Sequence, residues 1–363
     1  MNPLLSISRE QKERLSGQLW CAAYSGGKDS TALVAWLEWL RRSGQLSTGC
    51  PVLVHSNTTV EDVTLMTIAH DMMNLLRSCG WECVIVTPKI HEKLYNRILG
   101  IGNTPVHPGS GHVMRWCTRA TKIDPMNRWR KMHGAILTLT GLRWGESRNR
   151  DQKLAKKMLG CAAGGECGIP PPGESIYSPL LHWRTCSVID LLTGLIDSDY
   201  ANLMKDMLPI TQRLVELYNI EWEQDGLFED IEPDLSASRF GCIGCPAISA
   251  TSCAPRATVK RNGKYSPLNE LYDVWWEARK RKNRLVNART GGYGPIKLEI
   301  RKLLFDRVMD IQERSGIMLI SPEDEVFIRD CWSREKYPKG WSKADELNQP
   351  IQKYPLLFPR QGK

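Results

Sequence analysis

Short apolar runs alternate with segments of helical apolar spacing over the first 150 residues of the chain. The apolar runs predict four strands, at 18–24, 51–56, 83–87 and 135–142. Three helices are predicted between them, over 30–42, from just after 61 to about 79, and over 118–133. This alternation predicts an α/β fold with a doubly wound, mostly parallel sheet. In such sheets ligands bind at the carboxyl ends of the strands.

The pattern changes beyond residue 150. Residues 151–176 are rich in Gly, Pro, Lys and Cys and predict a loop. Helical spacing then dominates, near 185–193, 197–218, 267–287 and 296–315, with an irregular cysteine-bearing stretch at 224–256. We therefore expect an α/β domain over 1–150, a loop over 151–176 and a helical region over 177–363.

The composition indicates a soluble protein with reduced cysteines. A chain of 363 residues is long enough for one large domain and a smaller one. No segment has the apolar length of a signal peptide or a membrane span, so we expect a cytoplasmic protein without a membrane partner. In that compartment the 12 cysteines are not expected to form disulfides. The cysteines predicted to lie in the core are Cys21, Cys50, Cys79 and Cys83.

The charge balance favours an anionic partner, because 49 basic residues against 40 acidic ones give a net charge of +9. The excess is concentrated in residues 278–284 (ARKRKNR), on a predicted basic helix. The candidate nucleic-acid contacts there are Arg279, Lys280, Arg281 and Lys282. A solvated helix face would produce the same run.

The hexapeptide SGGKDS lies between the first predicted strand and the first predicted helix. A glycine turn at a helix N-terminus presents backbone N–H groups to an anion, and the helix dipole adds positive potential. It is not a Walker A loop, because Ala22 occupies the position of that motif's first glycine. The candidate phosphate-binding residues are Ser25, Gly26, Gly27, Lys28, Asp29 and Ser30. A plain strand-to-helix turn is the alternative.

Further polar residues follow the other predicted strands. Asn57, Thr58 and Glu61 come just after the second strand, where they could meet a ligand or cap the next helix. Arg119 and Lys122 are three residues apart on one predicted helix face, which suits phosphate contacts. Arg143 follows the fourth strand and is a further candidate phosphate contact.

Cysteines form the second chemical feature. Cys242 and Cys245 make a CxxC, whose turn brings two thiolates to one metal or cluster. Cys117 and Cys253 are the first candidates for the remaining ligands, with Cys186 and the pair Cys161 and Cys167 in reserve. From spacing alone, an iron–sulfur cluster, a structural zinc site and an unmetallated dithiol all remain open.

Four strings occur in the order SGGKDS, NTTVE, RWCTRxxKxxP and GxRxxESxxR within residues 20–150. Together they resemble the PAPS-reductase-like branch of the adenine nucleotide alpha-hydrolase superfamily, the PP-loop ATP pyrophosphatases. The resemblance implies a Rossmann-like domain that binds ATP or an adenylylated substrate. It implies that residues 25–30 hold pyrophosphate, that Asn57, Thr58 and Glu61 lie near the nucleotide, and that the three cations contact phosphate.

The string RFGCIGC at 239–245 is similar to a stretch of the DndC-type sulfurtransferases of bacterial DNA phosphorothioation, which have a counterpart in SspD. That resemblance implies a [4Fe–4S] cluster, a cysteine desulfurase as sulfur donor, further phosphorothioation proteins as partners, and DNA as acceptor. Relatives that reduce adenylyl sulfate carry a cysteine pair where this chain has Trp116-Cys117, so Cys253 is the expected replacement ligand.

These resemblances imply an enzyme that adenylylates a DNA phosphate oxygen with ATP and then replaces that oxygen with sulfur. Lys28, Asp29 and Cys117 are the expected catalytic residues, with Mg²⁺ held by Asp29 or Glu61. One alternative is a reductase of adenylyl sulfate or PAPS, although the string at 166–169 (ECGI) is followed by Pro170 where those enzymes have His. Another is a non-catalytic, metal-stabilised nucleic-acid-binding module.

Overall fold

A computed structural model describes residues 2–16, 19–47, 49–106, 115–134, 136–144, 176–219, 242–245 and 263–348. Its contacts divide the chain into two units. The first comprises Met1–Pro88, Thr118–Ile243 and Thr251–Asn262, and the second comprises Lys89–Cys117, Gly244–Ala250 and Gly263–Lys363. Helices between residues 185 and 219 thus belong to the first unit, whereas the sequence placed them in the region 177–363. The predicted loop lies outside the described residues up to 175.

The first unit is built on a five-stranded parallel sheet. Its strands are β1 (Trp20–Tyr24), β2 (Val52–Ser56), β3 (Glu82–Val86), β4 (Leu137–Leu139) and β5 (Ile176–Tyr177). They lie in the order β3-β2-β1-β4-β5, and every pairing is parallel. This confirms the predicted α/β class, and it places the carboxyl ends of β1 and β2 side by side, with Tyr24 paired to His55.

Helices cover both faces of this sheet. They are α1 (Arg9–Ser16), α2 (Lys28–Arg42), α3 (Val63–Ser78), α4 (Asp124–Met132), α5 (Thr185–Thr193), α6 (Ser198–Leu203) and α7 (Leu208–Asn219), with a 3₁₀ turn at Pro3–Leu5. Alternate strand residues face opposite sides. Trp20 and Ala22 pack in the cluster that contains α2, whereas Cys21 packs with Trp129 of α4.

Helix α2 is buried almost all round, as its unbroken apolar sequence predicts. The burial includes one carboxylate, Glu38, which is 1% exposed. Arg41 and Arg42 contact it at 3.1 and 2.8 Å, and the Trp81 indole donates to it at 2.7 Å. Three charge-assisted contacts satisfy the buried charge, and the contact with Trp81 links α2 to the residue before β3.

The predicted helix over 118–133 contains an irregularity. A helical turn at Trp116–Thr118 continues into a π-helical segment, Arg119–Ile123, and then into α4. Pro125 has no N–H for the carbonyl of Thr121, four residues earlier. The hydroxyl of Ser56, at the end of β2, donates to the carbonyls of Thr121 and Lys122 at 3.3 and 3.4 Å. A side chain of the sheet thus supports the wider turn.

Other element bounds also differ from the sequence predictions. The fourth strand is shorter than 135–142, and β5 was not predicted because two residues show no periodicity. The predicted helix at 197–218 is two helices, α6 and α7. Pro209 lies in the first turn of α7, where a missing N–H costs nothing.

The second unit is mainly helical, as predicted. Its helices are α8 (Glu270–Arg279), α9 (Leu298–Ser315) and α10 (Pro322–Ser333), with a π-helix at Asn96–Ile101. An antiparallel hairpin joins β6 (Arg284–Val286) to β7 (Tyr293–Ile296), and 3₁₀ turns occupy Ile90–Glu92, Gly263–Asn269, Arg281–Asn283 and Lys343–Leu347. In the parts of the chain that the structure describes, no helix is long and apolar enough to cross a membrane.

The predicted helix over 267–287 was too long. Helix α8 ends at Arg279, and the basic run continues as a 3₁₀ turn and then as strand β6. The amide of Asn283 donates to the backbone carbonyl and the carboxylate of Glu277, both at 2.9 Å. It caps a terminal carbonyl and ends the helix. The four cations at 279–282 therefore do not share one helix face.

Candidate functional site

The loop between β1 and α2 has the shape expected of an anion site. Gly26 has φ +77°, and a Cβ there would lie 2.9 Å from the Cβ of Ala69, so a larger residue would strain the loop and displace its neighbour. Helix α2 begins at Lys28, two residues earlier than predicted, and its N-cap, Gly27, has no side chain to cap the first N–H groups. The site is thus a helix N-terminus at the carboxyl end of the central strand.

The two serines of the loop bind each other. The hydroxyls of Ser25 and Ser30 lie 3.0 Å apart, and Ser30 also donates to the Gly27 carbonyl at 2.9 Å. The Ser25 N–H donates to the Ser30 hydroxyl at 3.2 Å. These bonds fix the loop, so its backbone is pre-organised for a ligand.

Lys28, Asp29 and Arg143 form a chain of charges. Lys28 is 6% exposed, and its Nζ lies 3.3 Å from one Asp29 carboxylate oxygen. The other oxygen accepts from Arg143 Nε at 2.7 Å. Arg143 is itself buried and also donates to the carbonyl of Trp183. The sequence predicted Arg143 as a phosphate contact, and the structure places its guanidinium on Asp29, where it positions the loop.

Tyr218, which the sequence analysis did not single out, also contacts the loop. It lies in α7 and is 4% exposed. Its hydroxyl accepts from the Lys28 N–H at 3.3 Å, and its ring centroid lies 5.2 Å from Lys28 Nζ. The Lys28 side chain is thus held between a carboxylate and an aromatic face.

The loop after β2 has a strained residue and a separate cap. Thr59 has φ +67°, and its N–H donates to the Asn57 side chain at 2.8 Å. The cap of α3 is Asp62, which accepts from the Leu65 N–H at 3.0 Å. Asn57 therefore shapes the turn and does not cap the helix, so that alternative is wrong for this residue.

Three buried polar atoms near the end of β2 have no hydrogen-bond partner among the described residues. They are His55 Nε2, Thr58 Oγ1 and Glu61 Oε2. The other ring nitrogen of His55 donates to the Tyr24 carbonyl at 3.0 Å, so Nε2 is an acceptor. It faces Glu61 Oε2 at 3.8 Å. Two facing acceptors suit a donor group or a cation between them.

Burial lowers the pKa of His55, and the Glu61 carboxylate opposes this shift. His55 is fully buried, so the neutral ring is favoured at neutral pH. The sequence analysis did not single out His55. The feature that could have indicated it is a histidine that follows the apolar run VLV in the second strand.

The structure separates the two cations predicted on the next helix. Lys122 Nζ lies 3.1 Å from Glu61 Oε1, so Lys122 belongs to the polar group at the end of β2. Arg119 is largely exposed and lies 3.5 Å from Asp124. Because the segment is π-helical, their three-residue spacing does not place them as an α-helix would.

Asp29 and Glu61 differ as magnesium ligands. Both oxygens of Asp29 contact cations, whereas Glu61 keeps one oxygen without a partner among the described residues. Magnesium prefers carboxylate oxygens. Glu61 is thus the residue of the two that fits Mg²⁺.

Cys242 lies beside the loop that follows β2. It forms an isolated antiparallel bridge with Glu61, and the Ile243 N–H donates to the Val60 carbonyl at 2.7 Å. Side chains of directly opposed residues share one side of such a bridge. The first cysteine of the CxxC is therefore next to a residue of the candidate nucleotide site.

The remaining cysteines do not complete a site within the described residues. Cys117 and Cys245 are half-buried and belong to the second unit, and Cys186 is exposed in α5. Cys253, Cys161 and Cys167 lie outside the described residues. Among the described residues, no three His, Cys, Asp or Glu side chains are arranged to hold a metal ion.

The cations of the basic run have local partners in the second unit. Arg279 donates to the Pro105 carbonyl and lies 5.7 Å from the Trp276 ring centroid. Lys280 pairs with Glu277, and Arg281 lies over the Tyr293 ring at 5.5 Å. Arg281 and Lys282 are exposed.

Comparison with known proteins shows similarity at the level of solved structures. No protein-family model matches the chain, and no curated protein matches its sequence. The chain is similar to phosphoadenylyl-sulfate (PAPS) reductase from Candida auris, in a phosphate complex, with 13% identity and a TM-score of 0.30 over 54% of this chain and 87% of that one. It is also similar to the U34-tRNA thiolase NcsA from Methanococcus maripaludis with its [4Fe-4S] cluster, with 14% identity and a TM-score of 0.33 over 67% of this chain and 84% of that one. At these values the likeness concerns the fold alone.

Proposed function

We propose that the chain is a PP-loop ATP pyrophosphatase that adenylylates a phosphate oxygen of DNA and then replaces that oxygen with sulfur. The observation that carries this proposal is the fixed glycine loop of residues 25–30, with Lys28 held at the N-terminus of α2 and at the carboxyl end of β1. The order of the four sequence motifs supports the same chemistry.

The first step is transfer of the adenylyl group. An acceptor phosphate oxygen attacks the α-phosphorus of ATP, the bond to the β-phosphate oxygen breaks, and pyrophosphate leaves with the electron pair. The loop N–H groups and Lys28 stabilise the charge that develops on the leaving pyrophosphate. Asp29 and Tyr218 hold Lys28 in position for this role.

Glu61 would hold Mg²⁺, which would supply charge neutralisation at the leaving phosphates. His55 keeps the end of β1 fixed through the Tyr24 carbonyl, directly before the loop. These residues place the nucleotide at the junction of β1 and β2.

The second step is displacement of AMP by sulfur. The terminal sulfur of a persulfide attacks the adenylylated acceptor phosphorus, a P–S bond forms, and AMP leaves. A second thiol then cleaves the S–S bond and leaves a phosphorothioate and a disulfide. Cys117 is the proposed carrier, a role that it can fill only while its sulfur is not bound to iron, and arginines 115 and 119 lie beside it in sequence.

A [4Fe–4S] cluster on Cys117, Cys242, Cys245 and Cys253 remains a proposal that rests on the sequence resemblance, with zinc as the alternative metal. The described residues do not build such a site by themselves. The displacement of AMP by sulfur is therefore assigned to cysteine thiols of the chain and not to the cluster. The proposed sulfur donor is a cysteine desulfurase acting with other phosphorothioation proteins, and Arg279, Lys280, Arg281 and Lys282 are proposed DNA contacts.

Pyrophosphate release from ATP tests the first step. We expect Lys28→Ala to lower its rate by about 10²–10³-fold, the usual cost of removing one group that stabilises developing charge. Lys12→Ala, at an exposed lysine of α1, is the matched control. Full pyrophosphate release by Lys28→Ala, with an unchanged melting temperature, would contradict the proposal.

The reductase alternative needs an accessible cysteine near the C-terminus. Cys331 is fully buried in α10, and burial raises the pKa of its thiol. Both properties disfavour a nucleophile. Production of sulfite from adenylyl sulfate with a thiol reductant would reverse this preference. The other alternative, a non-catalytic nucleic-acid-binding module, predicts that the chain binds nucleic acid but does not turn over ATP.

A further inference from the structure

Four cations line an open groove of about 590 Å³ on the first unit. We call it the basic groove, and the cations are Arg119, Arg128, Arg130 and Lys131. The lining also includes Asn127, Gly134 and one acidic residue, Asp124. Of the four cations, only Arg119 was a site candidate from the sequence.

The basic groove begins at the edge of the sheet that carries the phosphate loop. Its first cation, Arg119, is one turn from Lys122, which pairs with Glu61. The Ser56 hydroxyl binds this turn to the end of β2. Its other end, at Gly134, comes just before β4, where the strands begin. The groove thus runs along α4 from the carboxyl edge of the sheet towards its amino edge.

The dimensions suit a polyanionic chain. Arg119 and Lys131 are twelve positions apart, which corresponds to about 18 Å at the α-helical rise of 1.5 Å per residue and to slightly less across the π-helical turn at Arg119–Ile123. One strand of a nucleic acid advances about 3.4 Å per nucleotide, so the groove spans about five phosphates. A single nucleotide could not use all four cations.

The charges of the basic groove differ from those on the other amphipathic helices. On α9 and α10, surface arginines pair with acids four residues away, as in Arg314–Asp310 and Arg329–Glu325. Helix α4 has no acidic residue after Asp124, so Arg130 and Lys131 have no acid four residues before them. Arg130 Nε is buried without a hydrogen-bond partner among the described residues. Two of the four cations of the basic groove therefore have no acid at pairing distance along their own helix.

We propose that the basic groove binds the phosphodiester backbone of a nucleic acid and leads it to the phosphate loop. This inference rests on the proposed function, because that function needs an acceptor phosphate near the loop. The contacts are to phosphates, so they would give affinity and register but no base specificity. The groove belongs to the first unit, and the basic run at 279–282 belongs to the second.

Salt dependence of binding tests the proposal. Fluorescence anisotropy with labelled oligonucleotides would be measured from 50 to 300 mM salt, with duplex DNA, single-stranded DNA and RNA as separate arms. For the variant Arg128→Gln/Arg130→Gln/Lys131→Gln, we expect the slope of log K against log salt to fall by about two to three, at 0.7–0.9 per phosphate contact. The arm with the largest change identifies the nucleic acid.

A variant with the same loss of charge elsewhere is the control. Lys12→Gln/Lys205→Gln/Lys302→Gln removes three exposed lysines from other surfaces and should keep the wild-type slope. Melting temperatures check folding, and Arg128→Gln/Lys131→Gln, which spares the partly buried Arg130, is the second variant and should lower the slope by about 1.4–1.8.

Two outcomes would overturn the proposal. One is a groove variant with the slope of the control, and the other is a wild-type chain that binds none of the three nucleic acids. Pyrophosphate release from ATP, assayed separately, shows whether the proposed function fails as well. If the chain releases pyrophosphate but the groove variant keeps the wild-type salt slope, the groove proposal is wrong and the proposed function stands.

Discussion

Tyr218 and Lys28 meet although 190 residues separate them in the sequence. Tyr218→Phe keeps the ring over the ammonium and removes the acceptor of the Lys28 N–H. We expect it to lower the free energy of unfolding by about 1 kcal/mol, the usual worth of one hydrogen bond. It should also raise KM for ATP, because the start of α2 would lose a fixed contact.

Denaturant unfolding and steady-state kinetics measure both effects. Tyr200→Phe is the control, since Tyr200 is 1% exposed and packs on Trp39, with ring centroids 5.5 Å apart. Tyr200→Phe should leave KM for ATP unchanged. Equal KM values for the two variants would show that the hydroxyl of Tyr218 does not act on the loop.

The buried His55 should make stability depend on pH. Its pKa is lowered by burial and by His70 and Lys122, against the opposing effects of Glu61 and the Tyr24 carbonyl. The unfolded chain therefore binds a proton more readily, and stability is lost as the pH falls from about 6.5, the ordinary value, through the lower folded pKa. Above pH 6.5 the contribution of the neutral His55 ring to the free energy of unfolding is fully present.

His55→Asn tests this expectation because asparagine can still donate to the Tyr24 carbonyl and does not titrate. Urea unfolding from pH 5 to 8 should show a shallower loss of stability at the acid end for this variant than for the wild type. Parallel curves would mean that His55 is not the titrating group.

At the scale of elements, the phosphate loop depends on how closely it approaches α3. Gly26 and Gly44 both have positive φ, at +77° and +72°, but only Gly26 has a neighbour within 4 Å of an added Cβ. Gly44→Ala should cost about 1–2 kcal/mol for the left-handed backbone alone. Gly26→Ala should cost more, because Ala69 must also move.

Thermal unfolding of the two glycine variants measures that difference. Pyrophosphate release should fall in Gly26→Ala and persist in Gly44→Ala. If both variants lost the same stability and kept activity, close packing against Ala69 would not define the loop.

Local patterns predicted the elements near the loop better than those farther along the chain. Strands β1 to β3 agree with their apolar runs to within two residues at each end, since a short apolar run followed by polar residues is typical of a strand. Helix α8 ends early because Asn283 caps it, and no periodicity reveals that bond. Tyr218 could not be placed at the loop, because only tertiary packing of α7 brings it there.

At the scale of the whole molecule, the open question is whether the cysteines bind an iron–sulfur cluster, bind zinc or remain an unmetallated dithiol. We expect anaerobic purification to give a brown protein with about four irons and four sulfides per chain, as four-cysteine ligation of a [4Fe–4S] cluster requires. Visible absorbance and metal analysis measure this. Cys245→Ser should bleach the colour. Cys50→Ser should not, because the structure places Cys50 at the surface of the first unit, although the sequence predicted it in the core.

A colourless protein that contains zinc would contradict the proposed [4Fe–4S] cluster. It would not affect the proposal that the loop of residues 25–30 binds phosphate. The sequence gives no way to choose, because a CxxC serves both metals equally. The fold alone does not decide either, since the same parallel sheet carries many unrelated activities.

Ser56 and Pro125 act as one structural unit across 69 positions of the chain. The proline removes an N–H from the helix, and the serine hydroxyl serves the carbonyls around the resulting wide turn. Selection would therefore act on the two positions jointly. Among close homologues, replacement of the proline should relax the demand for a hydroxyl at position 56, and the two columns of an alignment should covary.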